Sequence, residues 1–113
     1  MEIIELQTRQ NTLDAIKAGE VREYAREIRP NTQKKYCELD EEGYVRDIDG
    51  VLQPRKYDVV QFKCGHETYA CKIENAYIEL FEDENNELVV YQEGGEEYIA
   101  AQVVYVLGEK VML

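Results

Sequence analysis

Hydrophobic and polar residues alternate with a period of two over much of the chain, which is the pattern of β-strands with one buried face. In one segment the apolar residues are spaced three positions apart instead: Leu13 and Ile16 predict a short helix over 12–18. Asn11 or Thr8 is expected to cap its start, and Gly19 follows where a left-handed C-terminal cap belongs. A second helical turn is predicted at 31–36, and strands at 2–6, 22–28, 56–62, 68–80 with a break near Asn75, 88–91, 98–107 ended by Gly108, and 111–113 at a sheet edge.

These elements predict an α+β fold dominated by strands. The expected architecture is a small β-barrel, curved or partly closed, of about five to seven strands with one or two short flanking helices. The connections are too short for repeated crossover helices, which argues against a parallel sheet. With 113 residues the chain is predicted to be a single domain, 1–113, and its acidic stretch 37–54 is interpreted as a hairpin or loop insertion around Tyr44-Val45-Arg46.

Charge is unevenly distributed along the chain. The formal net charge of −11 repels phosphate backbones and disfavours nonspecific binding of nucleic acid. Five basic residues and only two acidic ones lie between Arg22 and Lys35, whereas Glu74 to Leu113 holds ten carboxylates and a single lysine. A role in nucleic-acid binding therefore depends on the basic segment.

The rest of the composition indicates a cytoplasmic protein. There is no apolar run long enough to span a membrane, and the first residues lack the basic and apolar blocks of a signal peptide. The three cysteines, Cys37, Cys64 and Cys71, cannot all pair, so free thiols and no disulfide are expected.

Several short motifs appear in an order that resembles the ASCH-domain branch of the PUA-like superfamily. They are Ile16, Gly19 and Arg26, then Arg26-Glu27-Ile28-Arg29-Pro30, then Lys56-Tyr57-Asp58-Val59-Val60-Gln61-Phe62 with Gly65 close behind, and finally Val103-Val104-Tyr105-Val106-Leu107-Gly108. The resemblance covers nearly the whole chain. It implies a PUA-like β-barrel with a cleft beside the helix-to-strand turn, where RNA or a nucleotide-like ligand would bind.

The family motif Gly-x-Lys-x-x-Glu-x-Arg is only half preserved. Gly19 and Arg26 match it, but Val21 replaces the lysine and Tyr24 the glutamate. Some relatives hydrolyse an acyl group from a modified pyrimidine nucleoside with a lysine and a carboxylate near this turn. Because Val21 can do neither job, we expect a noncatalytic binding module with no catalytic residue. The alternative of a nucleoside hydrolase would need Glu20, Arg22 or Glu23 to take over.

The predicted ligand-binding residues surround this turn, with Arg26 at their centre. An arginine on a strand can bind a phosphate or carboxylate in bidentate fashion or stack on a base. The alternatives are an ion pair of Arg26 with Glu23, Glu27 or a carboxylate across the sheet, a solvated face for the other basic residues, and simple packing for the tyrosine. The full predicted set is Gly19, Arg22, Tyr24, Arg26, Arg29, Lys34 and Lys35.

Two other clusters are interpreted as structural. Cys64, His66 and Cys71, with Cys37 further away, offer zinc-type donors, but they lack the paired Cys-x-x-Cys spacing of closed zinc sites, so no metal and no cofactor are predicted. The acidic loop 82–87 lacks the spacing of a calcium loop and is interpreted as solvated.

Besides the binding module and the nucleoside hydrolase, a third functional hypothesis is an interaction module whose acidic face, from Glu74 onward, binds a basic protein partner. The sequence does not indicate an oligomeric state.

Overall fold

The computed structural model describes all 113 residues, and most of them lie in strands. In chain order the elements are β1 (Ile3–Gln7), α1 (Gln10–Lys17), β2 (Glu23–Ile28), a 3₁₀ turn (Pro30–Thr32), α2 (Gln33–Tyr36), β3 (Asp47–Ile48), β4 (Val51–Leu52), β5 (Val59–Cys64), β6 (Glu67–Leu80), β7 (Val90–Glu93), β8 (Glu96–Ile99) and β9 (Ala101–Lys110). Neither helix is long and apolar enough to cross a membrane.

Five strands form the main sheet, in the order β1-β5-β6-β9-β2, and the other four form two separate hairpins, β3-β4 and β7-β8. β1 and β5 run parallel with Ile3 opposite Val59, and β5 and β6 run antiparallel with Cys64 opposite Glu67. The structure therefore confirms the predicted class: a small, strand-dominated α+β fold with a barrel-like sheet and two short helices.

The chain divides into two compact units, and the first contains 1–24, 56–76 and 105–113. Its core follows from the alternation along the strands, since Ile4 and Leu6 of β1 are buried while the residues between them are exposed. Helix α1 buries Leu13 and Ile16 on one face. Phe62 and Tyr105 are fully buried and supply the largest side chains of this core.

The second unit contains 25–55 and 77–104. Its buried residues include Ile28, Tyr36, Cys37 and Val103. Hairpin β3-β4 closes through Asp49-Gly50 and hairpin β7-β8 through Gly94-Gly95. All four of these turn residues have positive φ, as a two-residue turn of type I′ requires, so the turn chemistry fixes the pairing of both hairpins. The first hairpin lies at 47–52, just after the Tyr44–Arg46 segment.

Helix α1 ends as the sequence predicts but begins differently. Gly19 has φ +76 and its amide donates to Ile16 O, while the amide of Glu20 donates to Ala15 O, which is the Schellman arrangement. At the other end the N-cap residue is Arg9, with no capping side chain, so the prediction of Asn11 or Thr8 as cap was wrong. Asn11 Oδ1 instead accepts a bond from the amide of Thr12, the next residue along the helix.

Gly19→Ala is expected to lower the free energy of unfolding by about 1–2 kcal/mol. No atom lies within 4 Å of the position its Cβ would take, so the cost comes from the left-handed backbone and not from a clash. Urea unfolding measures the effect as a lower midpoint with an unchanged slope. Glu20→Ala, at the next exposed position, is the control, and a midpoint lowered equally by both variants would contradict this explanation.

Several strand boundaries differ from the prediction. β6 continues through Asn75 without a break. β9 continues through Gly108 and ends at Lys110, and 111–113 lies outside any strand. A Cβ at Gly108 would lie 2.8 Å from Cγ of the exposed Glu74 side chain, which packs beside the glycine. The predicted strand 98–107 is split at Ala100, whose N–H donates to Val89 O and whose carbonyl accepts from Phe81 N.

Candidate functional site

Three of the sequence-predicted residues, Gly19, Arg22 and Tyr24, belong to the first unit. The ring of Tyr24 is only 9% exposed and packs edge-to-face on Phe62, with centroids 4.9 Å apart. Its hydroxyl lies 3.2 Å from Thr8 Oγ1. Tyr24 therefore serves the core, and its ring faces are not open to a stacked base. Arg22 is exposed, and its carbonyl accepts a bond from the amide of Leu107.

The other four, Arg26, Arg29, Lys34 and Lys35, belong to the second unit. Arg26 is half-buried and shares a face of β2 with buried Ile28. Arg29 follows the strand, where its guanidinium binds Glu27 Oε1 at 2.6 Å and covers the ring of Tyr91, 4.7 Å from the centroid. Lys34 and Lys35 are exposed on α2. The basic segment thus meets an aromatic side chain that is distant in sequence.

A cavity of about 280 Å³ lies within the second unit, next to this contact. Most of its wall is aliphatic, and it receives side chains from β2, from the 37–54 stretch and from β6 and the β7-β8 hairpin. The apolar residues that line it are Ile28, Val45, Leu52, Ile78, Leu80, Ile99 and Ala101. A concave apolar wall of this kind, with a few polar groups, is the usual form of a small-molecule site.

Two stacked tyrosines also line the cavity. Tyr91 and Tyr98 lie opposite each other in the β7-β8 hairpin, with ring centroids 5.7 Å apart and planes inclined by 26°. Together with the guanidinium over Tyr91 they form the Arg29-Tyr91-Tyr98 column. The Tyr98 hydroxyl donates to Glu96 Oε2 at 2.9 Å, and this hydrogen bond raises the pKa of the phenol. The column presents flat surfaces. The hairpin holds them in place, together with the Arg29–Glu27 ion pair and the Tyr98–Glu96 hydrogen bond.

Three polar side chains complete the lining: Gln33, Cys37 and Glu97. Gln33 brings an amide that can both donate and accept, and Glu97 brings a carboxylate that accepts only. Cys37 is 2% exposed, and burial raises the pKa of its thiol to about 11, so the group is neutral at physiological pH. The cavity can therefore recognise hydrogen-bonding edges but contains no thiolate nucleophile.

Carboxylates outnumber basic residues in the second unit. The second unit carries fifteen Asp and Glu residues and six Lys and Arg residues, and none of the six lies in 77–104. Several carboxylates are used locally, as in the 82–87 loop, where Asp83 Oδ1 accepts from the amides of Asn85 and Glu87 at 2.8 and 3.0 Å. A long polyanion would meet net repulsion here.

The groups considered for metal binding are separated. Cys64 is half-buried and its Sγ donates to Gln10 Oε1 at 3.5 Å, while His66 is exposed at the Gly65 turn and Cys71 is buried. No group of three His, Cys, Asp or Glu side chains is arranged to hold a metal ion. All three cysteines are free thiols.

The first unit has a charged cluster beside α1. Lys17 Nζ binds Glu67 Oε2, and Gln10 Nε2 donates to the other carboxylate oxygen at 3.0 Å. The hydrogen bond from Lys17 holds the pKa of the Glu67 carboxyl below its usual value. Lys17 and Glu67 therefore pair with each other at the surface, and this ion pair joins α1 to the start of β6.

Sequence reasoning missed Gln33, Tyr91 and Tyr98. A usable signal was present in Tyr91-Gln-Glu-Gly-Gly-Glu-Glu-Tyr98, because a two-residue turn at Gly94-Gly95 places the two tyrosines opposite each other. The contact of Arg29 with this pair had no local signal, since the two segments are 62 positions apart.

Comparison with known proteins adds no identification. The chain matches no family model, no curated protein and no solved structure. The resemblance to ASCH domains therefore stays a prediction, and the function must be argued from the site itself.

Proposed function

We propose that the protein is a noncatalytic binding domain for a small nucleotide-like ligand, and that the planar heterocycle of this ligand enters the cavity of the second unit. The observation that carries the proposal is the Arg29-Tyr91-Tyr98 column beside an apolar cavity of about 280 Å³. Unpaired bases are bound in proteins by stacking on aromatic rings or on the planes of arginine side chains.

The polar groups of the cavity suit the edge of a base. The amide of Gln33 can donate and accept at once, as an adenine edge requires, and the carboxylate of Glu97 can accept from an exocyclic amino group. The aliphatic wall would cover the remainder of the ring. This set favours a heterocycle with an amino group over a purely apolar ligand.

The charge of the unit argues for a single nucleotide or nucleoside over an RNA strand. The second unit carries fifteen carboxylates against six basic residues, and Arg29 is already paired with Glu27. One phosphate could be met by Arg29 and the lysines of α2, whereas a strand would bring repeated phosphates into a negative field. The proposed site, in the cavity of the second unit, is a different location from the cleft beside the first helix, where the resemblance to ASCH domains implies that a ligand would bind.

A noncatalytic role is supported by the groups at the motif positions. Val21 has no ionisable side chain and the Tyr24 ring is packed in the core of the first unit, so neither position supplies the lysine or the carboxylate of the motif. The cavity adds a thiol that burial keeps neutral. No observation favours a nucleoside hydrolase over a binding domain.

Titration of the ¹⁵N-labelled protein with the four ribonucleosides and their 5′-monophosphates tests the proposal. At least one adenine or cytosine compound is expected to shift resonances of Tyr91, Tyr98 and Ile99. Tyr98→Ala should weaken its binding by about 5–150-fold, the range that corresponds to about 1–3 kcal/mol for one stacked base. Tyr98→Phe keeps the ring and should retain most of the affinity.

Tyr69→Ala is the matched control, because Tyr69 is a half-buried tyrosine of the first unit with Lys110 Nζ 5.8 Å from its ring centroid. Binding by this variant should equal that of the unaltered protein. The proposal would be wrong if no compound shifted the cavity resonances at millimolar concentration, or if the Tyr69 and Tyr98 variants lost affinity equally.

A further inference from the structure

Large exposed aliphatic side chains are concentrated on the two hairpins of the second unit. Ile48 and Val51 lie opposite each other in β3-β4 and are 52% and 61% exposed. Val90 and Ile99 lie opposite each other in β7-β8 and are 49% and 45% exposed. Leu88 and Val89, just before β7, are exposed as well. We call these six residues the two-hairpin surface.

The two hairpins belong to one region of the unit. Leu52 of β4 and Ile99 of β8 both line the 280 Å³ cavity, so the exposed pairs lie on elements that border the same space. Single exposed aliphatic residues are normal on a protein surface, but paired ones on neighbouring hairpins are typical of a docking surface. Their burial by a partner would remove apolar area from water, which is the main driving force of association.

The charges around the two-hairpin surface specify the partner. Asp47 and Asp49 flank Ile48 in the first hairpin, Glu93, Glu96 and Glu97 lie in the second, and neither hairpin contains a lysine or an arginine. A second copy of this chain would bring the same negative field against itself, which disfavours a symmetric dimer. A basic partner would be attracted instead and would be steered toward the apolar residues.

From these observations we propose that the two-hairpin surface binds a basic amphipathic segment of another protein, one that presents aliphatic side chains between lysines or arginines. The aliphatic side chains of the segment pack against Ile48, Val51 and Val90, and its cations face the surrounding carboxylates. The inference does not depend on the proposed nucleotide-like ligand: Ile99 is the one residue of the surface that also lines the cavity, and Ile48, Val51 and Val90 do not line it.

The test uses the full chain and three synthetic peptides of equal length and helical periodicity. The first combines lysine and leucine, the second replaces every lysine by glutamate, and the third replaces every leucine by serine. Calorimetry should detect binding of the lysine-leucine peptide alone, weakening severalfold between 50 and 300 mM NaCl. Amide resonances of residues 47–52 and 88–99 should shift on binding.

The double variant Val51→Ser/Val90→Ser should bind the lysine-leucine peptide at least tenfold more weakly. Both positions are exposed, so the variant is expected to remain folded. Ile3→Ser, at an exposed aliphatic position of the first unit, is the control and should bind normally. Equal affinity of the double variant and the control would overturn the proposal, as would binding of the lysine-serine peptide that matches the lysine-leucine one. Concentration-dependent self-association abolished by the double variant would instead identify a second copy as the occupant.

Discussion

Replacing Phe62 by alanine is expected to lower the free energy of unfolding by about 3–5 kcal/mol. Phe62 lies in β5, is fully buried and receives the edge of the Tyr24 ring at 4.9 Å. Its truncation removes a large apolar side chain from the core of the first unit and leaves a cavity beside Tyr24. Proteins of this size have a free energy of unfolding of about 5–15 kcal/mol, so the substitution would remove a large part of it.

Chemical denaturation followed by far-ultraviolet circular dichroism measures this effect. Phe62→Leu keeps much of the volume and should cost less than about 1.5 kcal/mol. Tyr44→Ala, at a position that is 69% exposed, should stay within about 0.5 kcal/mol of the unaltered protein. A loss for Phe62→Ala no larger than that of Phe62→Leu would show that the core closes around the missing ring.

The second large effect is a loss of stability at alkaline pH that depends on Cys37 and Cys71. Burial raises the pKa of both thiols to about 11 from an ordinary value of 9.0. The thiols ionise at lower pH in the unfolded chain than in the folded protein. Their contribution to the free energy of unfolding is therefore fully present below about pH 9 and is lost as the pH rises toward 11. A shift of this size corresponds to about 2–3 kcal/mol for each thiol.

Urea midpoints between pH 8 and pH 11 test this expectation. Lysines and tyrosines titrate in the same range, so the informative quantity is the difference between the unaltered protein and Cys71→Ala or Cys37→Ala. Each variant should lose less stability with rising pH, whatever its stability at pH 8. Curves that remain parallel across the range would contradict the assignment.

Thiol labelling gives an independent measurement of the same burial. At pH 8 a thiol with a pKa of about 11 is ionised in roughly one molecule in a thousand, and the thiolate is the reactive form. Half-buried Cys64 should therefore react first with an aromatic disulfide reagent, and all three cysteines should react in denaturant. Rapid reaction of three thiols in the native protein would be inconsistent with the described core.

Much of the fold was accessible from local patterns. Alternation identified β1 and β2, and exposure along β2 does alternate, with Tyr24 and Ile28 buried and Glu23 exposed. Gly19 marked the end of α1 because its role is set by its own backbone conformation. The basic segment that contains Arg29 was also recognised, and this residue is part of the candidate site.

The errors arose where distant contacts decide the structure. Gly108 was expected to break a strand, but it lies within β9, where the side chain of Glu74 occupies the space beside it. Ala100 divides two strands because it hydrogen-bonds to Phe81 and Val89. Tyr24 was assigned to a ligand site, whereas its ring packs on Phe62, a partner 38 positions away. None of these contacts leaves a local pattern.

The closing turn of the β7-β8 hairpin constrains chain length as well as residue type. Tyr91 and Tyr98 meet only because two residues, Gly94 and Gly95, separate equal arms. A one-residue insertion or deletion in this turn would shift the register of one arm and move its side chains to the opposite face. A substitution elsewhere along the arms leaves the two tyrosines in register, but an insertion or deletion between positions 92 and 97 would separate them in a single step.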